Sequence, residues 1–194
     1  DEARLVGHGL HYCAACDGMF YKDKTVVVVG GGNSAAADAL LLSRICKKVI
    51  LVHRRDELRA TKIYHQPLMQ AENVEFQWNQ TVESVLESIV ADDGHDGRQG
   101  RRFSGGRNHV QITGVRLKNA ATGEKQEIVC DGIFVSVGRE PETRMIENQV
   151  VLDENGYIIA DESTKTNLRG VFAVGDIRTK ALRQIVTATA DGAN

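Results

Sequence analysis

The stretch Thr25–Ala35 reads TVVVVGGGNSA, and the fold turns on it. Four consecutive valines, Val26 to Val29, suit a strand buried on both faces of a parallel sheet. The run stops at Gly30-Gly31-Gly32. Asn33 to Ile45 is rich in Ala and Leu and predicts a helix, with Asn33 or Ser34 placed to cap it. Lys48 to His53 (KVILVH) predicts the next strand. Strand, glycine turn, helix and strand form one βαβ unit. Inside it, Gly30-Gly31-Gly32-Asn33-Ser34-Ala35 matches the dinucleotide fingerprint G-x-G-x-x-A. Gly30 permits the tight turn, Gly32 lets the backbone approach a pyrophosphate, and small Ala35 lets helix and strand pack closely. The helix N-terminus then offers amide donors to phosphates. The motif alone is weak, and its place between a strand and a helix is what strengthens it.

The end of the second strand selects the nucleotide. An NAD site usually has Asp or Glu there for the ribose 2′-hydroxyl; this chain has His53-Arg54-Arg55, then Arg59. A carboxylate repels a 2′-phosphate, whereas a guanidinium binds it bidentately. Asp56 lies between the arginines, to orient them or to offset part of their charge. A solvated basic surface is the plain alternative, but the position favours NADPH over NADH.

Upstream lies Cys13-Ala14-Ala15-Cys16-Asp17-Gly18. The C-x-x-C spacing suits a disulfide that opens and closes, and a short helix beginning at Cys13 supplies N–H groups that favour a thiolate. Asp17 can give and take the proton of the exchange. A zinc site needs two further ligands. His8 and His11 are near, but His-x-Cys-x-x-Cys is not a standard zinc spacing, so redox chemistry is expected and no metal. Cys46 and Cys130 lack a partner at short spacing and read as buried, passive residues.

Around this centre, residues 1–12 show no clear period. Thr61 to Glu72 predicts a helix limited by Pro67. Strands are predicted at Val74 to Trp78, Thr81 to Val90, Val110 to Lys118, Glu127 to Cys130, Ile133 to Val137, Tyr157 to Ala160 and Val171 to Val174. The tip 121–124 makes a hairpin, and a helical pattern starts at Ala181. Asp92 to Arg107 (DDGHDGRQGRRFSGGR) reads as a mobile polar loop rather than an RNA-binding tail. Of the 194 residues, 42% are hydrophobic and 26% charged, as in globular proteins, and a net charge of −2 attracts neither nucleic acid nor anionic membrane. No apolar run suits a membrane span. One C-x-x-C among four cysteines suits a reducing cytoplasm. The first residue is Asp, so a processed or truncated piece is expected.

The cysteine motif, the glycine turn, His53-Arg54-Arg55-Asp56-Glu57-Leu58-Arg59-Ala60, Gly170-Val171-Phe172-Ala173-Val174-Gly175-Asp176 and then Arg183-Gln184 occur in that order. Over nearly the whole chain this resembles the low-molecular-weight, bacterial-type thioredoxin reductases. The resemblance implies an α/β fold of two Rossmann-like, three-layer dinucleotide-binding domains in a homodimer. In that scheme NADPH reduces FAD, FAD reduces the disulfide, and the dithiol reduces thioredoxin. It implies that Cys16 is the sulfur nearest the flavin, that Cys13 attacks thioredoxin, and that Asp17 is the acid. It assigns Gly30, Gly32, Asn33, Ser34, Ala35, His53, Arg54, Arg55, Arg59 and Gly138 to the NADPH side. Gly175, Asp176, Arg183, Gln184 and Ile185 fall on the FAD side, with Asp176 on the ribityl chain. The expected domains are a linker 1–9, an NADPH-binding domain 10–138 with the redox cysteines, and the C-terminal part of an FAD domain, 139–194. Linkers near Gly7 and Gly138 suit a hinge.

Several features depart from the family pattern. No flavin-binding glycine unit opens the chain, the last helix stops early, Ala15 stands where Thr is common, and Asp92 to Arg107 looks inserted. The expectation is therefore a fragment that binds NADPH without activity, from a parent that reduces thioredoxin. The alternative parent is a related flavin-dependent reductase serving another dithiol.

Overall fold

β2 (Thr25–Val29) lies in the middle of a parallel sheet, hydrogen-bonded to a strand on each side. That position explains its sequence. Val26, Val27 and Val28 have no exposed surface, because both faces of the strand are covered. The computed structural model describes residues 2–90 and 109–194. They form one compact unit ending at Gly138 and a second, Arg139–Asn194.

The first unit opens with α1 (Glu2–Leu5), β1 (Leu10–His11) and α2 (Ala14–Asp17). After β2 come α3 (Asn33–Ser43), β3 (Lys48–His53), α4 (His65–Gln70) and β4 (Val74–Trp78). β5 (Gln80–Val90), β6 (His109–Asn119) and β7 (Lys125–Val129) follow, then β8 (Gly132–Val135). The five-stranded sheet runs β1-β8-β2-β3-β4, all parallel, with Val27 paired to Ile50 and to Ile133. β5, β6 and β7 form a separate antiparallel sheet.

Side chains alternate across the pleat, so each strand feeds two cores. Val26, Val28, Val49, Leu51 and Phe134 face one way and meet Ala35, Ala36, Ala39 and Leu42 of α3. Val27, Ile50, Val52 and Ile133 face the other way and meet Ile112, Val115 and Leu117 of the antiparallel sheet. Helices, parallel sheet and antiparallel sheet make three layers, the expected α/β arrangement.

Several boundaries differ from the sequence reading. α3 stops at Ser43, before Ile45, and its N-cap is Gly32 rather than Asn33 or Ser34. The helix predicted over residues 61–72 is a 3₁₀ turn, Lys62–Tyr64, and then α4, with Pro67 in the first turn where its missing N–H costs nothing. β7 begins at Lys125 and ends before Cys130, and β8 ends at Val135 rather than Val137. The start of the chain is ordered: Leu5 and Leu10 are buried among Val27, Ile133 and Ile112. The loop expected over Asp92 to Arg107 lies outside the described residues.

The second unit packs Val150, Ile158, Ala160 and Ala173 together. The strands predicted at Tyr157 to Ala160 and Val171 to Val174 appear there only as single bridges, Ile158 with Leu152 and Arg178, and Lys165 with Phe172. These backbones find isolated aligned partners within the unit rather than a run of them. α5 (Ile185–Asp191) starts four residues after Ala181, fixed by a capping box between Gln184 and Thr187. Among the described residues no helix is long and apolar enough to cross a membrane.

Candidate active site

β1 ends at His11, and the chain turns through Tyr12 into Cys13, which caps α2. The Cys16 amide points at Cys13 Sγ, 3.1 Å away, and the two sulfurs are joined as a disulfide with Cα atoms 5.3 Å apart. Cys13 is half-buried and Cys16 exposed. Asp17 closes α2 with its amide on Cys13 O, and its carboxylate, 34% exposed, lies 2.9 Å from His11 Nδ1. The other ring nitrogen of His11 is 2.7 Å from Tyr21 Oη. Sequence reasoning weighed His11 only as a zinc ligand. Here Asp17 and Tyr21 occupy both its nitrogens, and among the described residues no three His, Cys, Asp or Glu side chains converge as a metal site. Tyr21 was missed altogether. Its only signal was its nearness to the motif, since the tight return from β1 through α2 is not a sequence pattern. Met19 and Phe20, 66% and 50% exposed, add apolar surface directly after the motif.

Cys46 and Cys130 are free and buried. Burial, with help from Asp131 and Asp23, pushes the Cys46 thiol up to about 11; burial and Asp131 push Cys130 up to about 12. At neutral pH roughly one thiol in ten thousand or fewer is then ionised, and only the thiolate reacts. Alkylation of the folded, oxidised chain is therefore expected to leave both unmodified until denaturant is added. Mass mapping checks this; labelling at the rate of a free thiol would contradict it.

The glycine turn joins β2 to α3. Gly30 has φ +146°, and a Cβ there would overlap the Ser136 carbonyl and the Ala35 methyl, so both small residues are sterically required. A Cβ on Gly32 would meet no protein atom. The turn is open on that side, and with glycine at the N-cap no side chain takes the first amides of α3. That combination suits a diphosphate. Asn33 and Ser34 are exposed at the rim of the turn, and Asn33 Oδ1 accepts from the Thr61 amide rather than capping its own helix.

The amides of Arg59 and Ala60 donate to Gly31 O at 2.7 and 3.0 Å, tying the arginine segment to the glycine turn. His53, at the end of β3, is 5% exposed, and its ring fills the place a Gly31 side chain would take. Burial, then the charges of Arg59, Arg55 and Arg54, push its pKa below the usual histidine value, and its Nε2 has no hydrogen-bond partner. The three arginines are exposed. A neutral imidazole with an unused nitrogen beside three guanidiniums suits a phosphorylated ribose. Gly138, φ +113°, ends this unit with open space where a side chain would go.

In the second unit, Gly175 (φ +75°) donates its amide to Asp191 Oδ2 at 2.8 Å. Asp176 is exposed and 3.2 Å from Arg139. The Arg183 guanidinium lies 4.0 Å over the Tyr157 ring, and its Nε is buried without a partner. An open cavity of about 250 Å³ lies between Arg139, Pro141, Tyr157, Asp176 and Arg183. Its carboxylate, orphaned N–H and aromatic ring suit a polar, hydroxyl-bearing ligand. Gln184 is spent on capping α5, and Ile185 is 83% exposed.

The chain is 42% identical over 191 residues to a thioredoxin reductase of Listeria monocytogenes, covering 98% of this chain and 54% of that protein. It is 38% identical to one of Treponema pallidum, covering 99% and 55%. The crystal structure of a thioredoxin reductase from Streptococcus pyogenes superposes with a TM-score of 0.81 at 37% identity, covering 99% of this chain and 56% of that one. The chain thus spans about half the length of the curated relatives it matches. The family described as pyridine nucleotide-disulphide oxidoreductase matches residues 1–192, glycine cradle and cysteine pair included. The chain belongs to the pyridine nucleotide-disulphide oxidoreductase family.

Proposed function

We propose that this chain carries the NADPH site and the redox disulfide of a thioredoxin reductase, a cytoplasmic homodimeric flavoenzyme. One observation carries the reading: β1 and β2 are parallel strands of one sheet, and at their carboxyl ends lie the Cys13–Cys16 disulfide and the Gly30–Gly32 cradle. Ligands of open α/β sheets bind at that edge. Residues 10–138 act as the nucleotide domain. Residues 139–194 contribute Gly175, Asp176, Arg183, Gln184 and Ile185 to an FAD site, for which the orphaned Arg183 N–H and the Tyr157 ring supply fitting contacts.

In this reading the Gly32 turn holds the pyrophosphate of NADPH, and Arg54, Arg55 and Arg59 hold the 2′-phosphate beside neutral His53. Gly175, Asp176 and Arg183 would help hold FAD, which would supply the two-electron link between the nicotinamide and the Cys13–Cys16 disulfide. Cys13 then attacks one sulfur of the thioredoxin disulfide as a thiolate, supported by the Cys16 amide aimed at its sulfur. The second thioredoxin sulfur leaves with the bonding pair and takes a proton from the acid at Asp17. The Cys16 thiol gives up its proton and attacks Cys13 Sγ, closing the disulfide; the remaining thioredoxin sulfur leaves with the bonding pair, takes that proton, and thioredoxin is released as the dithiol. Exposed Met19 and Phe20 offer a protein substrate apolar contact beside the sulfurs.

The chain is expected to bind NADPH more tightly than NADH. One charge-assisted contact is worth about 1.5–3 kcal/mol, so Arg54→Ala should weaken NADPH by about tenfold or more and leave NADH nearly unchanged. Titration calorimetry with both nucleotides tests this, and equal affinities in the unsubstituted chain would sink the assignment.

A further inference from the structure

The Cys13–Cys16 disulfide has a neighbour that the exchange scheme above does not use. His11 is 7% exposed. Its ring stacks on Phe134, centroids 5.2 Å apart and planes 26° apart, and meets the edge of Tyr21 at 5.2 Å. Among the described residues, the titratable groups bonded to its ring are Asp17 from α2 and Tyr21 from the 3₁₀ turn that follows, and β8 stacks Phe134 on it. Lys24 lies beyond, 5.7 Å over the tyrosine ring. An ionised carboxylate only accepts hydrogen bonds, so Nδ1 must donate to Asp17 Oδ2 at 2.9 Å. In the imidazolium both nitrogens donate, Nδ1 to Asp17 and Nε2 to Tyr21 Oη at 2.7 Å; when the Nδ1 proton leaves through Asp17, Nε2 keeps its proton on the tyrosine oxygen. The Tyr21 contact therefore holds the ring in place while the proton on the Asp17 side leaves and returns. Solvent reaches the pair through Asp17, whose side chain is 34% exposed.

We propose that the proton-transfer group beside the redox disulfide is the His11–Asp17 pair rather than Asp17 alone, with His11 a positioning residue held by Tyr21 and Phe134. This rests on the reading of Cys13–Cys16 as redox-active. Before exchange the pair holds one exchangeable proton, as imidazolium and carboxylate. When the Cys13 thiolate forms its bond to the substrate sulfur, the other substrate sulfur leaves as a thiolate with the electron pair. It takes that proton to become a thiol, and the pair is left as imidazole and carboxylate until solvent restores the proton. A carboxylate bonded to an imidazole can pass a proton along that contact, which a lone carboxylate cannot do.

The test uses the reduced chain and two small disulfides. Bis-hydroxyethyl disulfide releases an alkyl thiol that needs a proton, whereas dithiobis-nitrobenzoate releases a thiolate that is stable without one. Rates are measured from about pH 5 to about pH 9, spanning the histidine range. The alkyl disulfide should show a pH limb that the aromatic one lacks. His11→Gln keeps an N–H for Asp17 but cannot carry the proton. It should lose that limb and slow the alkyl exchange by about tenfold or more at neutral pH, with the aromatic rate unchanged. His11→Gln with the original limb overturns the pair as the proton-transfer group. Tyr21→Phe keeps the ring stack and should move the same limb, so the question is decided even if His11→Gln does not fold; an unmoved limb there also overturns it. Reduced, unsubstituted chain that exchanges with neither disulfide overturns the redox reading itself, a different failure from an unchanged limb.

Discussion

Gly30→Ala is expected to unfold the first unit at a temperature about 10 °C or more below the parent, whereas Gly32→Ala, two residues on, should leave stability almost intact and abolish tight NADPH binding. At Gly30 the backbone has φ +146°, a region L side chains rarely adopt. An added methyl would also meet the Ser136 carbonyl and the Ala35 methyl. Neither neighbour can yield cheaply. Ser136 follows β8, with its amide on Val29 O, and Ala35 is fully buried in α3. Strain plus overlap at such a site costs about 3–5 kcal/mol, a large part of the stability of an ordinary domain. At about 3 °C per kcal/mol or more, that is the shift stated. At Gly32 φ is −92° and the new methyl meets no protein atom, so the cost is about 1 kcal/mol or less. In the proposed NADPH site the methyl would stand where the pyrophosphate approaches, and affinity should fall by about tenfold or more. Thermal unfolding followed by circular dichroism and nucleotide titration on both variants separates the roles. Gly32→Ala binding NADPH like the parent would show that the cradle lies elsewhere.

The same two glycines show what the sequence made legible. β2, the turn, α3 and β3 could be read because local propensity, hydrophobic run and turn chemistry agree there, residue after residue. Val26 to Val28 are buried on both faces, as a strand between two parallel neighbours must be. The passive character of Cys46 and Cys130 was legible because neither has a partner at short spacing, and both are buried and free. His11 was not legible. β1 is only two residues long, too short to show a period, and its place at the sheet edge depends on β8, more than a hundred residues away. The pairing of His11 with Asp17 and Tyr21 follows from that tertiary placement and from the tight turn through α2. The cap of α3 was misread because Asn33 has a better use, holding the Thr61 amide across the cradle. In the second unit the apolar runs at Tyr157 to Ala160 and Val171 to Val174 look like strands, but a run becomes a strand only where partners lie alongside it.

Asp191→Ala should release the second unit while the first still binds nucleotide. Asp191 is 4% exposed, and its carboxylate accepts from Arg178 Nε and Nη2 at 2.9 and 2.7 Å, from Lys180 Nζ at 2.7 Å and from the Gly175 amide at 2.8 Å. Arg178 is 1% exposed, and the Lys180 side chain 6%. Removing the carboxylate leaves two buried cations and one buried amide unmatched, a far worse outcome than never having built the network. Glu162, 93% exposed at 3.5 Å from Arg178, cannot replace it. The bonds from Arg178 and Lys180, with the Gly175 amide, hold the Asp191 carboxyl well below the usual aspartate range. The folded pKa is thus lower than the unfolded one. The stabilisation is fully present above the ordinary aspartate value of about 4 and is lost as the pH falls below it. Hydrogen exchange over residues 157–191 should show protection in the parent that weakens below about pH 4, and in Asp191→Ala little protection at any pH. Arg178→Met with Asp191→Leu should restore part of it, because one of the two buried cations is removed together with the carboxylate. The Gly175–Asp176 turn, which the proposed flavin site needs, is thus anchored by a residue on α5. Full protection across 157–191 in Asp191→Ala would show that the hydrophobic contacts of Val150, Ile158, Ala160 and Ala173 hold the turn without it.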